Sequence, residues 1–214
     1  MHGVEKLIGG FGRFQSKYFS EQGGLFETLK RGQNPHSLFI GCSDSRVDPA
    51  ILTDCDPGDL FVVRNVANLV PPYEPDGAYH GVSAAIEYAV CVLKVRYIIV
   101  LGHYACGGIR ALVKGHEPQS EADFVGRWVS IASRACEKEV VQAGESQDGE
   151  AQLRRCEMSA IVVSLENLMS FPFIAERVKA GELHLVGWYF HIEEGALYQY
   201  DHADGAFAPL VKAR

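Results

Sequence analysis

The sequence has no apolar run long enough to cross a bilayer. The longest nearly unbroken stretch, 84–93, is too short and is interrupted by Glu87. No apolar core follows the N-terminal Met1-His2-Gly3-Val4-Glu5-Lys6, so no secretory leader is expected and the expected location is cytoplasmic. Basic residues are in deficit: 20 Lys and Arg stand against 27 Asp and Glu, for a net charge of −7. No basic stripe appears, which argues against nucleic acid or an anionic membrane as partner. The chain also lacks repeats, low-complexity tracts and linker-like segments. Its 6 cysteines do not suggest a disulfide framework in a cytosolic chain of this length.

What is present is ordinary for a globular protein: 47% hydrophobic and 22% charged residues over 214 positions, enough for a sizeable core. One domain over 1–214 is expected, with an N-terminal helical arm (1–32) and an α/β core (33–214). In the arm, Leu7, Ile8, Phe11, Phe14, Tyr18 and Phe19 have helical spacing over 4–18, weakened by Gly9, Gly10 and Gly12. A second short helix is expected over 24–30. Apolar runs at 38–41, 60–64, 97–101 and 183–190 read as strands, and 196–200 as a hairpin partner of the last. Helices are expected over 83–94 (apolar nearly all round and so buried), 107–114, 124–141, 152–169 and from Pro172. The stretches 65–78, 116–123 and 143–150 read as loops. The fold class is α/β: a mainly parallel central sheet of four strands plus an antiparallel C-terminal edge strand, with helices on both faces.

Two of these strands end in metal-type ligands. The run Leu38-Phe39-Ile40-Gly41 leads into Cys42-Ser43-Asp44-Ser45-Arg46, and Tyr97-Ile98-Ile99-Val100-Leu101-Gly102 leads into His103-Tyr104-Ala105-Cys106-Gly107-Gly108. Sites in open α/β sheets lie outside the carboxyl ends of the strands. Cys42, His103 and Cys106, with Asp44 as a possible fourth ligand, suit zinc in a site that can open. Two plainer readings compete: buried core thiols with a satisfied histidine, and a structural zinc. Structural sites are usually closed by four Cys or His ligands. Here the only closing candidate is Asp44, a carboxylate near an arginine and so built to be displaced. Of the other cysteines, Cys91 is expected to pack as a small hydrophobe, while Cys55, Cys136 and Cys156 have no partner arguable from spacing.

Together, Cys42-Ser43-Asp44-Ser45-Arg46 and His103-x-x-Cys106-Gly107-Gly108 resemble the β-class carbonic anhydrases. So do Arg64-Asn65-Val66-Ala67-Asn68 and Ala85-Ile86-Glu87-Tyr88-Ala89, within a match over 33–112. The resemblance implies one zinc per chain and reversible hydration of CO2 to bicarbonate and a proton by zinc-bound hydroxide, available near neutral pH because the metal acidifies its water. It also implies that Asp44, held by Arg46 in a bidentate pair, aims that oxygen and ligates zinc only in a closed form. Plant-like members imply a substrate pocket of Gln33, Phe61 and Tyr88, with Gly107 or Gly108 offering a backbone N–H to the anion. Relatives assemble as dimers or tetramers, so a homo-oligomer clasped by the N-terminal arm is expected. One bacterial subclass closes its zinc site when bicarbonate fills a second pocket. The corresponding positions here are Phe39, Arg64 and Phe190, which lack the aromatic donors of that pocket, so an open site is expected. A COS or CS2 hydrolase on the same zinc and a non-catalytic zinc-stabilised binding module are the alternatives.

Overall fold

The computed structural model describes residues 2–19, 24–75, 79–115, 117–118, 120–143 and 149–211. The chain forms two compact units, 1–34 and 35–214. Three expected loop segments fall wholly or partly outside the described residues: 76–78, 116 and most of 143–150.

In the N-terminal unit, α1 (His2–Phe19) runs through its glycines and is followed by α2 (Leu25–Leu29). Val4, Leu7, Ile8 and Phe11 recur at helical spacing and form one stripe, each 63–72% exposed. Beyond the stripe, aromatic packing joins the two helices: Phe19 stacks on Phe26 at 4.6 Å between centroids, and Phe14 meets Phe26 edge-on at 5.6 Å.

The second unit is built on a six-stranded sheet. In chain order its elements are β1 (Ser37–Cys42), α3 (Pro49–Thr53), β2 (Leu60–Asn65), α4 (Gly81–Glu87), β3 (Tyr97–His103), α5 (Gly107–Lys114), α6 (Phe124–Val129) and α7 (Ser133–Ala143). Then come α8 (Gly149–Met169), α9 (Pro172–Lys179), β4 (His184–His191), β5 (Ala196–Asp201) and β6 (Ala206–Val211). The strand order is β2-β1-β3-β4-β5-β6, with the first four parallel and the last two antiparallel. The antiparallel part therefore has two strands where the sequence pattern indicated one. Pro209 lies in β6 and cannot donate to a ladder, and the edge of a sheet is where proline is tolerated.

Burial explains the unbroken apolar runs. Leu38, Ile40, Ile98 and Val100 face α4, α8 and α9 through Ile86, Ile161, Leu165 and Ile174. Their neighbours Phe39, Ile99 and Leu101 face the opposite way. Cover on the two faces is unequal: the Phe39 side carries the short α3, whose Leu52 and Thr53 line a cavity of about 180 Å³ with Phe39 and Phe190. Near the end of β3 the backbone itself is packed against. A Cβ at Gly102 would lie 2.7 Å from Ile161 Cδ1, so Ile161 would have to shift to admit a side chain beneath α8 there.

Three helical expectations change. The segment at 83–94 is not buried all round: Ile86, Ala89 and Val90 are buried, whereas Tyr88, Cys91 and Val92 are exposed. Cys91 is thus not a packed core thiol. After Glu87 the helix widens into a π-turn, Tyr88–Val92, with Leu93 N–H bonding Tyr88 O at 3.0 Å. The expected helix over 124–141 is two helices split by a 3-10 turn, Ser130–Ala132. At the break Ser130 Oγ donates to Arg127 O at 2.8 Å, the local competition that makes serine a poor helix-interior residue. Among the described residues no single helix is long and apolar enough to cross a membrane.

Candidate metal centre

Because β1 and β3 are parallel neighbours, their carboxyl ends share one edge of the sheet. The chain leaves β1 toward β2 on one side and returns as β3 on the other, so the crevice between β1 and β3 is a topological switch point. Cys42 and His103 end the two strands, and Cys106 follows one turn later as the N-cap of α5. The three ligand atoms lie within 4.8 Å of one another and all three residues are buried.

The electrostatics of this cluster call for a cation. A hydrogen bond from Cys106 and its closeness to His103 bring the Cys42 thiol down to about 4, against the opposing effect of burial. The second proton is held far more tightly. Cys106 is pushed well up, first because it donates to Cys42 and then because it is buried, although the Ile109 and Gly108 amides favour its thiolate. Burial works against charging His103, yet the Cys42 partner prevails and its pKa is raised. Two thiolates side by side in an apolar pocket need positive charge between them. His103 Nδ1 lies 3.0 Å from Tyr104 O, which leaves Nε2 as the free ligand atom. Among the described residues, that Nε2 is the one buried side-chain nitrogen or oxygen without a hydrogen-bond partner.

Asp44 and Arg46 stand beside this cluster. Arg46 Nε donates to Asp44 Oδ1 at 2.9 Å and Nη2 to Oδ2 at 2.7 Å, and the Arg46 backbone N–H adds a third bond at 2.9 Å. These bonds from Arg46 hold the Asp44 carboxyl well below the usual carboxylate range. Asp44 Oδ2 is 3.9 Å from His103 Nε2, and Asp44 is not one of the three clustered ligands. Its own N–H lies 3.4 Å from Cys42 Sγ.

Arg64 braces the loop that carries these residues. Its Nε donates to Cys42 O at 2.9 Å, Nη2 to Asp44 O at 2.7 Å and Nη1 to Asp48 Oδ2 at 2.8 Å. Asp48 in turn caps α3 by accepting from Ala50 and Ile51. Arg64 is thus committed to the loop, and the cavity beside Phe39 and Phe190 is walled by Trp188, Leu101 and Leu197 rather than by a cation.

The remaining expected site residues are placed unevenly. Gly107 is exposed at the start of α5, with open space where a side chain would be. Gly108 is buried for a packing reason: a Cβ there would meet Val66 Cγ1 at 2.8 Å and Ala67 Cβ at 2.9 Å, in the 3-10 turn after β2. Phe61 stacks on Tyr88 at 5.7 Å between centroids. That pair does not join its own chain's cluster along the sheet. Phe61 pairs with Leu38 while Asn65 pairs with Cys42, a separation of about 13 Å along the strand. Gln33 belongs to the N-terminal unit and is exposed.

One residue of this region had not been singled out from the sequence. Glu157 of α8 is 2% exposed and accepts from Cys106 N–H at 2.9 Å and from Tyr189 O–H at 2.8 Å. Burial raises its pKa against the pull of both donors. A signal was available, because Glu157 falls at helical spacing between Leu153 and Ile161, on an otherwise apolar face.

A family profile described as carbonic anhydrase matches residues 37–197. A carbonic anhydrase of Synechocystis sp. is 40% identical over 198 residues, covering 92% of this chain and 71% of that protein. Beta carbonic anhydrase 3 of Arabidopsis thaliana is 35% identical, over 90% of this chain and 74% of its own length. Among solved structures, the β-carbonic anhydrase CcaA superposes with a TM-score of 0.88 at 38% identity, covering 100% of this chain and 96% of its own. A tetrameric β-carbonic anhydrase of Sordaria macrospora superposes with a TM-score of 0.79 at 26% identity, over 97% of this chain and 98% of its own. With its Cys42-His103-Cys106 cluster at the switch point of such a sheet, this chain belongs to the carbonic anhydrases, in their β-class.

Proposed function

We propose that this chain catalyses the reversible hydration of CO2 to bicarbonate and a proton with one zinc ion held by Cys42, His103 and Cys106. The observation that carries the reading is the buried Nε2 of His103, which makes no hydrogen bond, beside the buried thiols of Cys42 and Cys106. Zinc bound there would acidify a water and so supply the nucleophile near neutral pH. The chain's own residues do the rest. Asp44, fixed by both oxygens to Arg46, accepts a hydrogen bond from the nucleophile and orients it toward the carbon of CO2. In this proposal Asp44 stays with Arg46 near neutral pH and the site is open. The commitment of Arg64 and the apolar walls beside Phe39 and Phe190 support that subclass. Gly107 N–H serves as a donor to the anionic product.

The COS or CS2 alternative and the non-catalytic module gain no support, since the named relatives are carbonic anhydrases and the Asp44–Arg46 pair is intact. Stopped-flow hydration assays test the proposal. One zinc per chain is expected, with turnover lost on chelation, restored by zinc and not cooperatively inhibited by bicarbonate. Full turnover by metal-free protein would overturn it.

A homodimer, alone or paired into a tetramer, belongs to the same proposal. The Phe61–Tyr88 pair is half-exposed and lies away from its own cluster, so it can wall a metal site only from a second chain. The bare stripe on α1 also needs cover, and burying each such side chain contributes roughly 1.5–3 kcal/mol. Leu7→Asp combined with Phe11→Asp is expected to reduce the mass found by light scattering. An unchanged mass would show that the stripe lies outside the assembly.

A further inference from the structure

The peptide unit between Ala105 and Cys106 is held from two directions. Its carbonyl, on Ala105, accepts from Arg46 Nη2 at 3.2 Å. Its N–H, on Cys106, donates to Glu157 Oε1 at 2.9 Å, and the other oxygen of Glu157 accepts from Tyr189 O–H at 2.8 Å. Glu157 and Tyr189 are 2% and 0% exposed, so water has little access to either. Ala105 itself has φ 55°, a left-handed conformation that alanine adopts only when its surroundings impose it. A carboxylate is a poor choice for an apolar core unless it holds something. Here it takes an amide at the start of α5 that no helical carbonyl can satisfy.

We propose that Glu157 and Tyr189 are a positioning pair that fixes the Ala105–Cys106 peptide, and through it both the Cys106 ligand and the arginine that holds Asp44. The inference rests on the metal-site reading above. In it, α8 and β4 jointly set the orientation of a turn that belongs to neither. Outer partners of this kind govern how long a metal stays bound as much as how fast the site turns over.

The test measures release of zinc to a chromophoric chelator and the visible spectrum of the cobalt(II)-substituted protein. Glu157→Ala is expected to speed release about 10- to 100-fold and to alter the cobalt bands. Glu157→Gln keeps an acceptor for the Cys106 amide and should restore both. Leu168→Ala, a cavity variant in the core of α8, provides the stability-matched control and should change neither. Release from Glu157→Ala no faster than from Leu168→Ala, or a Gln variant as fast as the Ala variant, would overturn the inference. If Glu157→Ala does not fold, Tyr189→Phe decides: faster release with altered cobalt bands supports the role, and wild-type behaviour overturns it. Wild-type protein that takes up neither metal would overturn the metal-site reading and this inference together.

Discussion

Changing Cys106 or Cys42 to serine is expected to lower CO2 hydration at neutral pH at least about a thousandfold, because the acidified water disappears with the ion. Zinc content should fall in parallel. The cluster makes the loss steep: Cys42 and Cys106 are its two thiols, so removing either removes half of the thiolate charge available to the ion. The serine hydroxyl ionises far less readily than a thiol and cannot take over. His103→Ala should behave similarly, since it deletes the free Nε2 directly. The paired measurements are zinc per chain and the stopped-flow rate. A serine variant with full zinc and full turnover would remove that cysteine from the ligand set.

The second large effect concerns Asp44 and Arg46. Each of Asp44→Asn and Arg46→Ala is expected to lower turnover about a hundredfold, the usual penalty for a misplaced catalytic geometry. The double variant should be scarcely worse than either single one, because groups that act as one unit lose their effect together. Three hydrogen bonds tie the pair, so neither holds its orientation alone. Zinc content should stay near one per chain, which separates this loss from that of the ligand variants. Losses that add in the double-mutant cycle would mean that the two residues act independently.

The motif chemistry could be read from the sequence because it depends on local order. Apolar runs that stop at Cys42 and His103 mark strand ends, and parallel strand ends share an edge. Register is different. Nothing in the runs at 38–41 and 60–64 states that Phe61 lies opposite Leu38, so the offset of Phe61 and Tyr88 from the ligands of their own chain is not legible there. Exposure was hidden for a similar reason: the apolar residues around Tyr88 and Val92 look like core, and only the placement of the helix reveals which side is bare. Glu157 could have been marked by its helical spacing between Leu153 and Ile161, but what it holds, the Cys106 amide and the Tyr189 hydroxyl, lies far off in sequence. The strand β6 is short and holds Pro209, which only the edge of a sheet accepts, so its pattern is weak in the sequence.

The packing at Gly102 bears on the history open to this chain. A methyl group there would collide with two carbons of Ile161, at 2.7 and 2.8 Å, immediately before His103. Starting from Gly102, an alanine forces Ile161 to shift, whereas trimming Ile161 first costs the cavity it leaves, a gap that a later side chain at 102 can fill. The two changes therefore depend on each other, and their order decides which strain is met first. The wall of the proposed metal centre next to His103 is in this way tied to α8 through Ile161.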